Sequence, residues 1–132
     1  MPEVAFDVAD RSSDLGGGRI ELTATTVAVE IGEPPYFAVV VPRAQIRSVE
    51  RVDASTPARG AHGRRGRWLV NTSGRNLVRL AIEPPVRAAL RPPPLAMPRW
   101  LRIFVRDRDV RVSELTLSLA APEAALQELH PT

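Results

Sequence analysis

The chain of 132 residues contains no cysteine and no lysine, and aromatic residues make up only 5% of it. Without cysteine, disulfides, thiolate metal ligands and cysteine nucleophiles are excluded. Without lysine, Schiff-base chemistry is excluded as well. No apolar run reaches the roughly 18 residues of a transmembrane helix. The first residues also lack the basic and apolar regions of a secretory signal, so we expect a cytoplasmic protein.

The positive charge is concentrated in one part of the sequence. Residues 54–82 contain six arginines and no acid, whereas the rest of the chain contains twelve arginines and fifteen acids. The first part therefore carries +6 and the remainder −3, which together give the formal net charge of +3. The sequence thus describes a mildly acidic body with one basic segment.

Strict alternation of apolar and polar residues runs through most of the chain and predicts β-strands with one buried face. Residues 37–41 form instead a continuous apolar run, which is typical of a strand covered on both faces. We expect a hairpin turn at 23–26, a helical turn at 42–46 followed by a strand at 47–52, and a hairpin of 68–71 with 76–82. We also expect a last hairpin of 100–105 with 110–119. In this last strand the apolar residues change from even positions (Val110, Val112) to odd positions (Leu115, Leu117). Because a regular strand keeps its apolar residues on one face, a β-bulge is predicted near Ser113 and Glu114.

Residues 83–98 contain six prolines in sixteen positions. Proline cannot donate to a β-ladder, so this segment is predicted to be a stiff surface connection and not an inner strand. A proline-rich ligand segment for a partner is the alternative interpretation.

The last element is predicted to be a short amphipathic helix at 122–129. Pro122 suits the first helical position, and Glu123 suits the first turn. Ala125, Leu126 and Leu129 form its apolar stripe. The predicted fold is therefore mainly β, a two-sheet antiparallel barrel or sandwich of about seven to eight strands with one C-terminal helix. The residues that share the apolar face of each strand or of the helix predict the core: Phe6, Ile20, Leu22, Val29, Val39, Val41, Val78, Leu80, Ile103, Leu117 and Leu126.

Three stretches carry a resemblance to a known superfold: VPRAQIRSVERV (41–52), GRWLVNTSGRNLVRLAIEPP (66–85) and VRVSELTLSLAAPEAALQEL (110–129). They resemble the pleckstrin-homology-like (PH-like) superfold, and more narrowly the small PH-like proteins of actinobacteria. The resemblance implies a single domain over 1–132, a two-sheet barrel capped by a C-terminal helix. It implies no activity, because none of the stretches is a catalytic motif. Residues 20–31 also lack the basic side chains with which PH domains hold phosphoinositides.

The sequence offers no credible catalytic, metal or cofactor site. Its two histidines are His62, among glycines, and His130, near the C-terminus, and neither position fixes an imidazole for catalysis. Two distant histidines without cysteine make no metal ligand set. No serine lies in a nucleophile elbow, and the glycines at 16–18 precede a strand where a phosphate-binding loop would precede a helix. We therefore expect neither an enzyme nor a small-molecule substrate.

The remaining candidate site is the arginine-rich segment, predicted to be a mobile basic loop at about 54–66. Its candidate anion- or partner-binding residues are Arg59, Arg64, Arg65 and Arg67. Glycines between them permit backbone approach to an anion, but aromatic residues for base stacking are few, and Trp68 is predicted to be in the core. Three interpretations stay open: a solvated loop that protects a sheet edge, a surface for a protein partner, or a contact for nucleic acid or acidic lipid. We expect a non-catalytic binding or scaffolding module with a protein partner, with the anionic-surface binder as the alternative.

Overall fold

The computed structural model describes residues 18–32, 37–53, 60–71, 74–90 and 108–129. Within these ranges the fold is mainly β, with eight strands and one C-terminal helix, as the alternation predicted. The elements are β1 (Gly18–Leu22), β2 (Thr26–Ile31), β3 (Phe37–Pro42), a 3-10 turn (Arg43–Gln45), β4 (Ile46–Val52), β5 (Gly60–Arg64), β6 (Arg67–Asn71), β7 (Leu77–Leu90), β8 (Arg108–Ser118) and α1 (Pro122–Leu129). The turn after β1, the helical turn after β3 and strand β4 agree with the predictions.

The eight strands of the described residues belong to one open hydrogen-bonded sheet. Its order is β1-β2-β3-β7-β8-β6-β5, and β4 pairs with β7 beside this path. The first part of β7 pairs with β4 and its last three residues pair with β3. Between these parts, four residues of β7 lie opposite a single residue of β8, Ser113. An insertion of this kind bends a strand, so the predicted two-sheet sandwich is built from two halves of one sheet.

One strand pair departs from the predicted antiparallel pattern. The expected hairpin of 68–71 with 76–82 is wrong, because β6 pairs antiparallel with β5 and parallel with β8. The turn that makes β5 and β6 a hairpin consists of Arg65 and Gly66, both with positive φ (55° and 85°). Two residues with positive φ match the twist of a two-residue β-hairpin. The sequence did not predict this turn, because arginine rarely adopts positive φ.

The proline-rich segment is also different from its prediction. Residues 83–90 are part of β7, an inner strand, and not a surface connection; residues 91–98 lie outside the described residues. Pro84 and Pro85 lie among the residues that make no ladder pair with β8. A proline is compatible with a strand where no N–H is needed for the ladder, so the bulge explains how an inner strand accommodates both.

The bulge predicted at Ser113 and Glu114 is confirmed. The backbone N–H groups of both residues donate to one carbonyl, that of Gly66, at 2.8 and 3.1 Å. Two consecutive donors on one acceptor mark an extra residue in a strand. Val112 before the bulge and Leu115 after it are both fully buried. The bulge therefore lets the apolar residues on either side of it face the same core.

Helix α1 has the predicted bounds, but its buried face is shifted. Pro122, Ala125 and Leu129 are buried, whereas Leu126, predicted to be in the core, is only partly buried and packs against it. Arg43 fixes the C-terminal end of the helix. Its Nη2 lies 3.2 Å from Glu128 Oε1, and its Nη1 donates to the Glu128 carbonyl at 3.4 Å.

Buried residues from both halves of the sheet form one hydrophobic cluster. Most predicted core positions are confirmed as buried: Val29, Val39, Val41, Val78, Leu80 and Leu117. Ile20 and Leu22 on β1 are only partly buried, and among the described strands β1 has a neighbour, β2, on one side only. Phe6 and Ile103 lie outside the described residues.

Candidate functional site

The outer face of β1, β2, β3, β7 and β8 carries an open cleft of about 450 Å³. Its apolar floor consists of Ala28, Ala38, Val40 and Ala89. Because side chains alternate between the faces of a strand, these residues point away from the core that Val29 and Val39 enter. Val40 is 56% exposed, and within the described ranges it is the only large hydrophobic residue with such exposure.

The cleft crosses five neighbouring strands in register. A row of directly opposed residues runs from β1 to β8: Arg19, Glu30, Ala38, Ala89 and Asp109. Charged side chains therefore stand at the two ends of the row, and uncharged ones stand in the middle. Four steps between strands, each of about 4.8 Å, separate the ends by about 19 Å.

The β1–β2 end of the cleft carries an excess of acid. Arg19 lies 3.4 Å from Glu21 and 4.0 Å from Glu30. One arginine with two glutamates leaves a formal charge of −1 at this end. All three side chains are substantially exposed.

The β7–β8 end carries an excess of base. Arg87 of β7 stands directly opposite Arg111 of β8 in the ladder, and both are exposed. Neither forms an ion pair within 4.0 Å with an acid of the described residues. Arg87 and Asp109 line the cleft and cancel formally, and Arg111, which stands beside them on the wall of an adjoining cleft, brings the formal charge of this end to +1. Arg87, Asp109 and Arg111 also line a second cleft, of about 560 Å³, which shares Arg87 and Asp109 with the first.

The arginine-rich segment is ordered where the structure describes it. Residues 60–64, predicted to be part of a mobile loop, form strand β5 instead; residues 54–59, with Arg59, lie outside the described residues. Arg64 ends the strand, Arg65 begins the turn and Arg67 begins β6, and all three are exposed. The structure therefore holds these three arginines around one tight turn.

The glycines of this segment have structural roles. A Cβ on Gly63 would lie 2.0 Å from Cδ2 of Trp68, its directly opposed partner in β6. Gly66 adopts positive φ in the turn and accepts the two β8 hydrogen bonds described above. Gly63 thus makes room for the indole ring, and neither glycine is needed for approach to an anion.

Trp68 is in the core, as predicted. It is 7% exposed, stacks on Phe37 with ring centroids 5.1 Å apart, and its Nε1 donates to the Arg111 carbonyl at 3.2 Å. A buried indole that has satisfied its N–H in this way is not available as a stacking surface for a nucleic acid base.

The outer face of the other half of the sheet is charge-compensated. Glu114 lies 3.9 Å from Arg67 and 3.1 Å from Arg79, and Arg79 also lies 3.2 Å from Glu50. Arg64 and Arg65 form no ion pair with an acid of the described residues. Among the described members of the predicted site, they are the two without an acid partner.

In the described parts of the chain, no three histidine, cysteine or acidic side chains come together as metal ligands. His62 is exposed on β5, and His130 lies outside the described residues. The one helix described has eight residues, and no described helix is long and apolar enough to cross a membrane. Comparisons with protein-family models, curated proteins and solved structures found no match.

Sequence reasoning missed the cleft. The run at 37–41 indicated a strand covered on both faces, so an exposed Val40 was not expected. The alternation of Arg87 and Ala89 with Ala88 and Leu90 is a strand signal, but the neighbouring prolines concealed it.

Proposed function

We propose that this protein is a non-catalytic binding module that docks a protein partner in the outer cleft. Val40 carries the proposal. It lies in an apolar run of the kind found where both faces of a strand are covered, yet it is 56% exposed at the floor of the cleft. Full burial of a valine contributes about 1.5–3 kcal/mol, so covering the exposed half contributes about 1 kcal/mol to binding.

The charges of the cleft favour a protein over a polyanion. Glu21, Glu30 and Asp109 line it together with arginines, and a phosphate backbone is repelled by such acids. A protein segment can present both signs of charge to both ends. The mainly β architecture with its C-terminal helix is compatible with the proposed resemblance to the PH-like superfold, members of which serve as binding modules.

Affinity purification with matched variants tests the proposal. Val40→Glu places a charge on the cleft floor, whereas Ala24→Glu adds the same charge in the exposed turn between β1 and β2. We expect at least one protein from the source cells to bind the wild type and Ala24→Glu but not Val40→Glu. Calorimetry with that protein in purified form should then give a Kd raised at least tenfold by Val40→Glu. Equal binding by both variants would contradict the proposal.

A second candidate function is binding to an anionic surface through the β5–β6 turn. Arg64 stands directly opposite Arg67, and like charges opposed across a ladder are destabilising. A bound phosphate would relieve this repulsion, and Arg64 and the turn residue Arg65 have no acid partner among the described residues. This repulsion is the observation that favours an anionic-surface binder as the function of the arginine-rich segment.

Salt titrations of binding to DNA, RNA and acidic liposomes test this second candidate. If it holds, replacing Arg64 by serine and Arg65 by asparagine lowers the salt slope by about two, one for each lost phosphate contact. Asparagine is chosen at position 65 because it tolerates positive φ. An unchanged slope would exclude the turn as the contact, and the variant should leave thermal stability within about 1 kcal/mol for each arginine.

A further inference from the structure

Arg87, at one end of the cleft, and Arg111, beside it on the wall of the adjoining cleft, form no ion pair with an acid of the described residues. Arg87 and Arg111 are directly paired across β7 and β8, and like charges in this arrangement repel. Asp109 shares their face of the sheet, but it forms no ion pair with either of them. The pair is therefore a local excess of positive charge that attracts an anion. A carboxylate suits this position, because guanidinium groups bind carboxylates through paired N–H donors.

The β1–β2 end of the cleft favours a basic group on the partner. Glu21 and Glu30 share a single cation, Arg19, so an incoming base finds an acid excess there. Between the ends the floor is uncharged, and Val40 is its most exposed member. The cleft is thus polarised along the direction that crosses the strands, and the centres of the two charged groups lie three strand steps apart, which is about 14 Å.

The backbone of the partner segment must satisfy its own hydrogen bonds. Strands β2, β3 and β7 have neighbours on both sides, so their N–H and C=O groups are committed to the ladder. An extended peptide lying across them would leave its backbone unpaired, whereas a helix pairs its own backbone. The alanines of the floor leave space for such a helix to approach. At 1.5 Å per residue, 14 Å corresponds to about 10 residues of helix.

We infer that the partner occupies the cleft with an amphipathic helix that is acidic at one end and basic at the other. A carboxylate side chain bridges Arg87 and Arg111, apolar side chains cover Val40, and a basic side chain about 10 residues away lies at Glu21 and Glu30. This inference rests on the proposed function and adds the chemistry and orientation of the partner to it.

A displayed library of random 20-residue helical peptides is the probe that tests the inference. The library is selected on the wild-type protein, and peptides that still bind Val40→Glu are removed. We expect the remaining peptides to carry acid and base about 10 residues apart, with an apolar stripe between them. Arg87→Glu combined with Arg111→Glu should weaken these peptides at least tenfold, and exchanging the acid of a peptide for arginine should restore binding to that variant.

A matched control separates a local effect from a change in net charge. Arg64→Glu combined with Arg65→Glu changes the net charge by the same amount outside the cleft and should leave peptide binding within twofold. Thermal denaturation verifies folding of each variant, and Arg87→Gln with Arg111→Gln, expected to weaken binding about tenfold, replaces the double glutamate variant if that one does not fold.

The outcomes distinguish this inference from the proposed function. Peptides that require Val40 but show no charge polarity, or that bind the Arg87 and Arg111 variants unchanged, would overturn the inference and leave the proposed function standing. Peptides that are uniformly acidic and equally sensitive to the Arg64 and Arg65 variant would also overturn it, because that pattern is general attraction to positive charge. A selection that yields no peptide dependent on Val40 would overturn both.

Discussion

The rings of Phe37 on β3 and Trp68 on β6 stack with their centroids 5.1 Å apart and their planes inclined by 28°. Strands β3 and β6 are separated in the sheet by β7 and β8, so this contact crosses the core and joins the two halves of the sheet. The same indole donates from Nε1 to the carbonyl of Arg111. Trp68 therefore connects the core to the stretch of β8 that lines the proposed binding cleft.

Replacing Trp68 with alanine should lower the free energy of unfolding by about 3–5 kcal/mol, because a large buried ring is removed from the core. Trp68→Phe keeps an aromatic ring against Phe37 but loses the donor to Arg111, so it should cost clearly less. Urea denaturation followed by circular dichroism measures both. Equal losses in the two variants would show that stacking on Phe37 contributes little.

Gly63→Ala should destabilise the protein through a clash with Trp68. The added methyl would lie 2.0 Å from the indole, and overpacking of this kind costs about 1–3 kcal/mol. The control is a double-mutant cycle, since the same change in a Trp68→Ala background removes the clash and should cost little. If Gly63→Ala lowered the free energy of unfolding equally in both backgrounds, glycine would be required for its backbone conformation and not for its contact with Trp68.

The ion pair between Arg43 and Glu128 should stabilise the helix more than the one between Arg51 and Glu123. The first pair is half-buried, with side chains 26% and 17% exposed, and Arg43 also donates to the Glu128 carbonyl at the helix end. The second pair is largely exposed. Arg43→Ala should cost about 2 kcal/mol, and Arg51→Ala less than about 1 kcal/mol. Thermal unfolding of both variants compares them, and a larger loss for Arg51→Ala would contradict the assignment.

Helix docking should depend on Leu129 more than on Leu126. Leu129 is buried, whereas Leu126 is only partly buried. Leu129→Ala should therefore cost about 2–5 kcal/mol, and Leu126→Ala about half of that. Chemical denaturation of the two variants side by side gives the comparison. If neither change altered stability, the helix would not be docked on β4 and β7.

Local pattern in the sequence determined many of the elements and much of the core. The period of two placed Val29, Val39 and Leu80 on buried faces, and the change of parity in β8 placed a bulge at Ser113 and Glu114. The apolar spacing at 122–129, with Pro122 at its start, set the bounds of α1. Each of these follows from side-chain direction within one element, which neighbouring residues alone specify.

Only the tertiary structure decided which strands pair and what each outer face presents. β6 lies parallel to β8, more than forty residues along the chain, and no local pattern encodes that choice. Gly63 is required by Trp68, Pro84 and Pro85 fit β7 through a bulge, and Arg87 opposes Arg111 only in the observed register. The exposure of Val40 is likewise decided by what packs over β3. Pairing and register join residues that are distant in sequence, so the candidate site becomes visible only when the sheet is assembled.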